Sequence, residues 1–158
     1  MDRVAVALGS NLGDRRAHLD FAVSRLTSAF ANLQVSRYYE TDPVDAPGPQ
    51  SPFLNAAAVG DATASAREIL ELLMAIERER GRERPFLHAA RTLDLDLILL
   101  GKTALDEPGL IVPHPRFRER GFVLEPLAAI APEMVDPVTG STVADLLVRL
   151  KADITEAS

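Results

Sequence analysis

The spacing of apolar residues along the first part of the chain predicts a strand followed by a helix. Val4 to Leu8 form a β-branched apolar run that ends at the turn-forming sequence GSNLGD. From Asp14 or Arg15 to about Phe30, apolar residues recur at helical spacing, which predicts an amphipathic helix.

The middle of the chain predicts two strands and a second helix. Alternating and β-branched residues place strands over Val35 to Glu40 and Phe53 to Val59, separated by the proline-rich loop TDPVDAPGPQSP. Ser65 and Glu68 then form a capping box ahead of an apolar stripe, and Gly81 is placed to end that helix.

The second half begins with a basic irregular segment, Arg82 to Ala90, which leads into the apolar strand RTLDLDLILLG. Two further helices are predicted, over about Phe122 to Ile130 and Ser141 to Leu150. The order strand, helix, strand, strand, helix, strand predicts an α+β, ferredoxin-like βαββαβ sandwich. We expect an antiparallel sheet with helices packed on one face and extra C-terminal helices.

The apolar strand carries two aspartates on one face. With the two-residue period of a strand, Asp94 and Asp96 point to the side of Ile98 and Leu100, and the leucines at 93, 95, 97 and 99 point to the other. The Cβ atoms of the two aspartates then lie roughly 6.6 Å apart, close enough for both carboxylates to bind one cation between them. The alternative is that one carboxylate pairs with an arginine and the other is solvated.

Composition narrows the class of protein. The 158 residues, 47% of them apolar, predict a single domain over residues 1–158. The chain has no cysteine, no charged leader and no apolar run of membrane-spanning length, so we expect a cytoplasmic protein that binds no membrane. A net charge of −6 argues against a broad nucleic-acid surface. Oxygen ligands without thiolates favour Mg²⁺ bound together with a nucleotide.

Arginines flank the aspartate strand on both sides. The sequence ERERGRER and Arg91 precede the aspartates, and PHPRFRERGF follows them. The guanidinium groups of these arginines could bind phosphates. The arginines on the second helix are also expected to pair with neighbouring glutamates. His114 lies between two prolines and is placed either to donate to a phosphate or to fill a turn. Phe53 and Asn55 share a strand face. They either form an aromatic wall beside an amide or belong to the core.

Five segments together resemble the 6-hydroxymethyl-7,8-dihydropterin pyrophosphokinase family of folate biosynthesis. They are VALGSNLGDR, TDPV followed by FLNA, IERERGRER, RTLDLDLILLG and VPHPRFRERGFVLEPL, which span nearly the whole chain. The resemblance implies an enzyme that transfers the diphosphate of ATP to the hydroxymethyl group of the pterin and releases AMP. We expect a monomer whose partners are small-molecule substrates.

The resemblance also implies roles for individual residues. Asp94 and Asp96 would hold two Mg²⁺ ions, with Arg82 and Arg91 beside them as catalytic residues. The residues implied for ATP are Glu77, Arg82, Arg84, Arg91, His114 and Arg120. Those implied for the pterin are Thr41, Val44, Phe53, Asn55 and Phe122, with the two phenylalanines on either side of the ring.

The chain departs from the family pattern before the aspartate strand, where His88-Ala89-Ala90 stands in place of Trp-Gly-Pro. We expect the Arg82 to Ala90 segment to close over bound ATP without that tryptophan. Phe53 stands where members of the family often carry Tyr. Gly109-Leu110 stands in the region where some members carry an arginine. Two other classes of protein would show different patterns. A nucleotidyltransferase would bring Gly-Ser and D-x-D close in sequence, and an RNA-binding module would need basic and aromatic strands.

Overall fold

The computed structural model describes residues 1–41, 52–81 and 93–157, with side chains as far as residue 154. The strands are β1 (Asp2–Ser10), β2 (Ala31–Val35), β3 (Tyr39–Thr41), β4 (Phe53–Ala62), β5 (Asp94–Leu100), β6 (Leu105–Glu107) and β7 (Leu110–Val112). The α-helices are α1 (Arg15–Ala29), α2 (Ala66–Gly81), α3 (Gly121–Ile130) and α4 (Val143–Ala157), and a short 3-10 helix covers Phe117–Glu119.

The main sheet is antiparallel and has the strand order β2-β4-β1-β5, with β3 pairing with β4 beside β2. β1 and β4 pair along their whole length, from Asp2 opposite Ala62 to Ser10 opposite Leu54. β6 and β7 form a separate hairpin after β5. This topology confirms the predicted α+β fold.

The helices cover both faces of this sheet. On one face α1 and α2 contribute fully buried side chains such as Leu19, Leu26, Ile69 and Ile76. On the opposite face α3 and α4 pack with Val123, Leu127 and other apolar residues against Ala5, Ala57 and Val59. The first two helices therefore share one face, as predicted, and the extra C-terminal helices build a second core on the other.

The predicted alternation along β5 is wrong at its end. Leu93, Leu95 and Leu97 face the α1/α2 core, but Leu100 joins them there and Leu99 faces the α3/α4 core. The cause is a register shift in the pairing with β1: Ala5 is opposite Leu99, whereas the next residue, Val6, is opposite Leu97. The extra residue reverses the alternation, as a β-bulge does. Asp94 and Asp96 precede the bulge and keep the face that the sequence predicts.

The predicted strand from Val35 to Glu40 is divided into β2 and β3. At the break, the hydroxyl of buried Ser36 accepts a hydrogen bond from the Ala57 N–H at 3.0 Å, and the Ser36 N–H donates to the Ala57 carbonyl at 2.9 Å. The partners then shift by one residue, from Val35 opposite Ala58 to Tyr39 opposite Asn55. A side chain therefore satisfies the backbone where the ladder is interrupted.

The last helix begins two residues later than predicted and continues to Ala157. The Thr142 hydroxyl accepts from the Asp145 N–H at 3.1 Å, so Thr142 rather than Ser141 caps α4. None of the helices in the described ranges is long and apolar enough to cross a membrane.

The capping box at the start of α2 gives a stability prediction. Ser65 Oγ accepts from the Glu68 N–H at 3.2 Å, and Glu68 Oε1 accepts from the Ser65 N–H at 2.9 Å. We expect Ser65→Ala to lower the free energy of unfolding in urea by about 1 kcal/mol. Ser24→Ala, at an exposed position within α1, serves as the control and should cause no loss. Equal effects of the two substitutions would contradict a capping role.

Candidate active site

The register of the three central strands brings the polar residues of one sheet face together. Gly9 of β1 lies between Asn55 of β4 and Asp94 of β5, and Ala7, two residues earlier, is opposite Asp96. Adjacent strands are about 4.8 Å apart, so the amide and the first carboxylate are separated by the width of one small residue. The small residues of β1 therefore form a floor between two polar walls.

A cavity of about 570 Å³ opens above this floor. α3 and α4 cover the sheet beyond it and leave this end of the face uncovered. Seven of the residues predicted from the sequence line the cavity: Thr41, Phe53, Asn55, Asp94, Asp96, Arg120 and Phe122. Residues that are distant in sequence, from β3, β4, β5 and α3, are thus brought to one site.

The amide side of the cavity is organised around Asn55, whose side chain is buried. Its Nδ2 donates a hydrogen bond of 2.5 Å to the Thr41 hydroxyl. A Cβ atom added at Gly9 would lie 3.2 Å from Asn55 Oδ1, which is closer than most Cβ contacts. Glycine at this position lets the amide lie directly against β1.

The carboxylate side consists of Asp94 and Asp96, both half-buried on the same face of β5. Two carboxylates without thiolates suit a hard cation that takes its other ligands from phosphate oxygens and water. In the described part of the chain no cluster of three or more acidic, histidine or cysteine side chains is placed to hold a metal by itself. A cation at this pair would therefore be shared with a bound ligand.

His114 lies near Asp94, and hydrogen bonds orient both its backbone and its ring. Its backbone N–H donates to the Ile98 carbonyl at 3.0 Å, and its Nδ1 accepts from the Arg116 N–H at 3.1 Å. Because Nδ1 is an acceptor, the neutral ring carries its proton on Nε2. Burial and the positive charges of Arg120 and Arg116 lower the pKa of His114, and the negative charge of Asp94 opposes them in part.

Several lining residues were not predicted as individual site residues. Arg116 precedes the 3-10 helix and Glu119 is its last residue, within a segment that the sequence marked only as basic, and Leu150 and Ile154 reach the cavity from α4. The two apolar residues lie one helical turn apart, a spacing that indicates a shared face but not what the face contacts. Their side chains add an apolar wall to the cavity.

Glu77 does not line this cavity. Its Oε2 accepts a hydrogen bond of 2.9 Å from the N–H of Leu95, the residue between the two aspartates. Glu77 therefore joins the end of α2 to β5. The other predicted residues, Val44, Arg82, Arg84 and Arg91, lie outside the described residues. Their roles stay predictions.

The close approach of Gly9 to the Asn55 amide predicts non-additive mutations. Gly9→Ala should destabilise the protein because its new methyl group displaces Asn55 Oδ1, and it should cost less in an Asn55→Ala background. Urea unfolding of the two single variants and the double variant measures the coupling. Gly121→Ala is the matched control, since its Cβ would meet only Leu150 Cδ2, at 3.9 Å. Strict additivity at Gly9 and Asn55 would contradict the contact.

The lowered pKa of His114 predicts a pH dependence of stability. An unfolded histidine titrates near pH 6.5, so below about that pH the unfolded chain takes up a proton that folded His114 does not. The stability due to neutral His114 is present above about pH 6.5 and is lost as the pH falls towards its folded pKa. His114→Gln should therefore lose less stability than wild type between about pH 7.5 and about pH 5.5 in urea melts. If His114→Gln lost as much stability as wild type or more over this range, the lowered pKa of folded His114 would be contradicted.

Comparisons with known proteins identify relatives of this chain. The family model described as 7,8-dihydro-6-hydroxymethylpterin-pyrophosphokinase (HPPK) matches residues 5–132. A protein of Bacillus subtilis named 2-amino-4-hydroxy-6-hydroxymethyldihydropteridine pyrophosphokinase is 42% identical over 144 residues, which is 89% of this chain and 86% of the relative. A Pseudomonas aeruginosa protein of the same name is 41% identical over 85% of this chain and 83% of its own length.

The fold is also that of a solved structure, the HPPK-DHPS protein of Plasmodium falciparum, with a TM-score of 0.78 at 13% identity. The match covers 99% of this chain but only 46% of that longer protein, so it bears on the fold alone. The sequence relatives and the family model carry the assignment: the chain belongs to the 7,8-dihydro-6-hydroxymethylpterin-pyrophosphokinase family.

Proposed function

We propose that this chain transfers the diphosphate of ATP to the hydroxymethyl group of 6-hydroxymethyl-7,8-dihydropterin and releases AMP, and that the cavity above β1 is its active site. Its curated relatives carry the name of this pyrophosphokinase. The observation that carries the location is that a buried amide on β4 and two carboxylates on β5 lie on either side of Gly9 and Ala7 of β1, inside one cavity.

The pterin would occupy the amide side. A pterin is a flat heterocycle with an amide-like edge, which suits aromatic walls together with a side chain that both donates and accepts. Phe53 and Phe122 line the same cavity as Asn55 and Thr41, and the bond between the last two fixes the orientation of the amide. Val44 is proposed to add a backbone contact.

The phosphates of ATP would lie towards the carboxylates. Arg120 lines the cavity, and His114 is neutral near pH 7 with a donor at Nε2, so both suit phosphate oxygens. Arg82, Arg84 and Arg91 are proposed to complete the cationic lining. Glu77 is proposed to lie near the nucleotide, and its bond to the Leu95 N–H supports a role in holding the aspartate strand.

Two Mg²⁺ ions are proposed at Asp94 and Asp96, because the pair offers oxygen ligands and leaves other coordination positions for phosphate. Bound Mg²⁺ supplies charge neutralisation of the triphosphate. The protein's own contribution is orientation: the strand fixes both carboxylates, and the pterin side would present the hydroxymethyl group to the phosphate.

The substrates are small molecules, and three further properties remain proposals. We propose a monomer without a nucleic-acid partner, in keeping with the net charge of −6. A cytoplasmic location is proposed from the absence of cysteine in the sequence.

The nucleotide product tests the proposed reaction directly. Incubation with ATP, Mg²⁺ and the hydroxymethyl-dihydropterin should give AMP and the pterin diphosphate in equal amounts, because attack at the middle phosphorus moves the terminal diphosphate as one unit. Chromatography of the nucleotides identifies the product. Formation of ADP would instead indicate transfer of a single phosphoryl group.

The aspartate pair predicts a separation of stability from activity. Asp96→Asn removes repulsion between the two carboxylates, so metal-free stability in urea should stay unchanged or rise by roughly 0.5–1 kcal/mol. The transfer rate should fall at least about a hundredfold. Asp106→Asn, at an exposed position of β6, is the matched control and should change neither quantity.

A structural role for Asp96 predicts a clearly different result. If Asp96 held the fold through an ion pair, neutralising it would leave a partly buried arginine unpaired and cost about 3 kcal/mol or more. Large destabilisation with retained activity would therefore show that the pair is structural.

A further inference from the structure

The Asp136 carboxylate is fully buried and accepts four hydrogen bonds. Oδ2 accepts from Arg118 Nε at 2.5 Å and from the Thr139 hydroxyl at 2.7 Å. Oδ1 accepts from Arg118 Nη2 at 2.9 Å and from the Val138 N–H at 3.0 Å. Arg118 thus binds both oxygens with two parallel donors, the strongest geometry for such a pair.

The backbone around Asp136 is fixed as well. Its N–H donates to the Ser141 carbonyl at 2.9 Å, and its carbonyl accepts from the Gly140 N–H at 2.8 Å. The bridge between Val135 and Thr142 closes this turn immediately before α4. Although burial acts to raise the pKa of Asp136, the hydrogen bonds from Arg118, Thr139 and Val138 lower it overall, so the carboxylate is ionised at neutral pH.

The other end of the pair is attached to the cavity. Arg118 is not among the described lining residues, but Arg116, Glu119 and Arg120 on either side of it are. They belong to or flank a 3-10 helix of three residues, which is too short to hold its own geometry. Phe117 anchors this helix in the α3/α4 core, and the Arg118 guanidinium lies 4.9 Å from the Phe117 ring centroid.

We propose that Arg118 and Asp136 are positioning residues for ATP binding: their ion pair ties the 3-10 helix to the turn before α4 and so holds Arg116 and Arg120 towards the phosphates. The proposal rests on the assignment of this cavity to ATP. Phe117 fixes how deeply the 3-10 helix is buried. The ion pair of the adjacent residue, Arg118, fixes the rotation of this helix about its axis. Without the pair, the backbone that carries Arg116 and Arg120 loses its attachment to the turn before α4.

A purely electrostatic role for Arg118 makes the opposite prediction for one substitution. Asp136→Asn removes a negative charge and leaves Arg118 cationic, so charge alone would strengthen the binding of a triphosphate. Positioning predicts weaker binding, because an amide has one acceptor oxygen in place of the two that Arg118 and its neighbours use. Arg118→Lys keeps the charge but removes the planar fork, and positioning predicts weaker binding there too.

The test is calorimetric binding of a non-hydrolysable ATP analogue with Mg²⁺ to the full chain. Asp136→Asn and Arg118→Lys should each raise the Kd at least about tenfold, the effect of misplacing one charge-assisted contact. Hydrogen exchange at residues 116–120 should become faster in both variants. An unchanged or lower Kd for Asp136→Asn would overturn the proposal, and if that variant does not fold, wild-type affinity of Arg118→Lys overturns it.

Two control variants separate positioning from general loss of stability. Glu133→Gln removes another arginine–carboxylate pair, that of Glu133 with Arg3, three residues before Asp136. Ile69→Val reduces packing on the opposite face of the sheet. Both should keep the analogue Kd within about twofold, and a tenfold change in either would show that the binding loss is a general effect.

The proposed reaction and the proposed role of the ion pair can fail separately. If wild type binds the analogue but forms no AMP from ATP and the pterin, the proposed function fails while the binding comparison still decides the role of the ion pair. Absence of analogue binding by wild type overturns both.

Discussion

The antiparallel register of β4, β1 and β5 is the constraint on which the site depends. Because strand residues alternate between faces, only one register places Asn55, Gly9 and Asp94 in one row. A shift of one residue would turn the amide and the carboxylate into the α1/α2 core. The same pairing that builds the core therefore fixes the distance between the two halves of the cavity.

One face of the sheet is covered by a continuous core, and the other contains the cavity. The α1/α2 face is a continuous core in which side chains such as Leu19, Leu26, Ile69 and Ile76 are fully buried. On the other face, α3 and α4 cover only part of the strands, and small residues at Ala7 and Gly9 leave room where the helices end. Placing two carboxylates on a strand is costly, but a rigid element holds them more precisely than a loop would.

Features that depend on local sequence were predictable. The capping box of Ser65 and Glu68 and the shared face of Asp94 and Asp96 follow from spacing alone, and the structure confirms both. The positions of Phe53 and Asn55 on one side of β4 follow in the same way. The family resemblance supplied what spacing could not, namely that residues from distant segments would meet in one cavity.

Features that depend on tertiary contacts were not predictable. The bulge that exchanges the faces of Leu99 and Leu100 is a property of the pairing with β1, and nothing in the leucine run marks it. Leu150 contributes to the cavity only because α4 packs across the start of α3, which its amphipathic pattern does not specify. The Ser36 hydroxyl interrupts a ladder that β-propensity alone would continue.

The uncovered end of the sheet is proposed to bind a divalent cation together with ATP at the Asp94 and Asp96 pair. Amide NMR with Mn²⁺ as a paramagnetic substitute for Mg²⁺, in the presence of an ATP analogue, tests this most directly. Broadening should be strongest at Ala7, Gly9 and residues 94–96 and should depend on the analogue. Broadening centred on exposed acidic positions such as Asp106, or unaffected by the nucleotide, would contradict it.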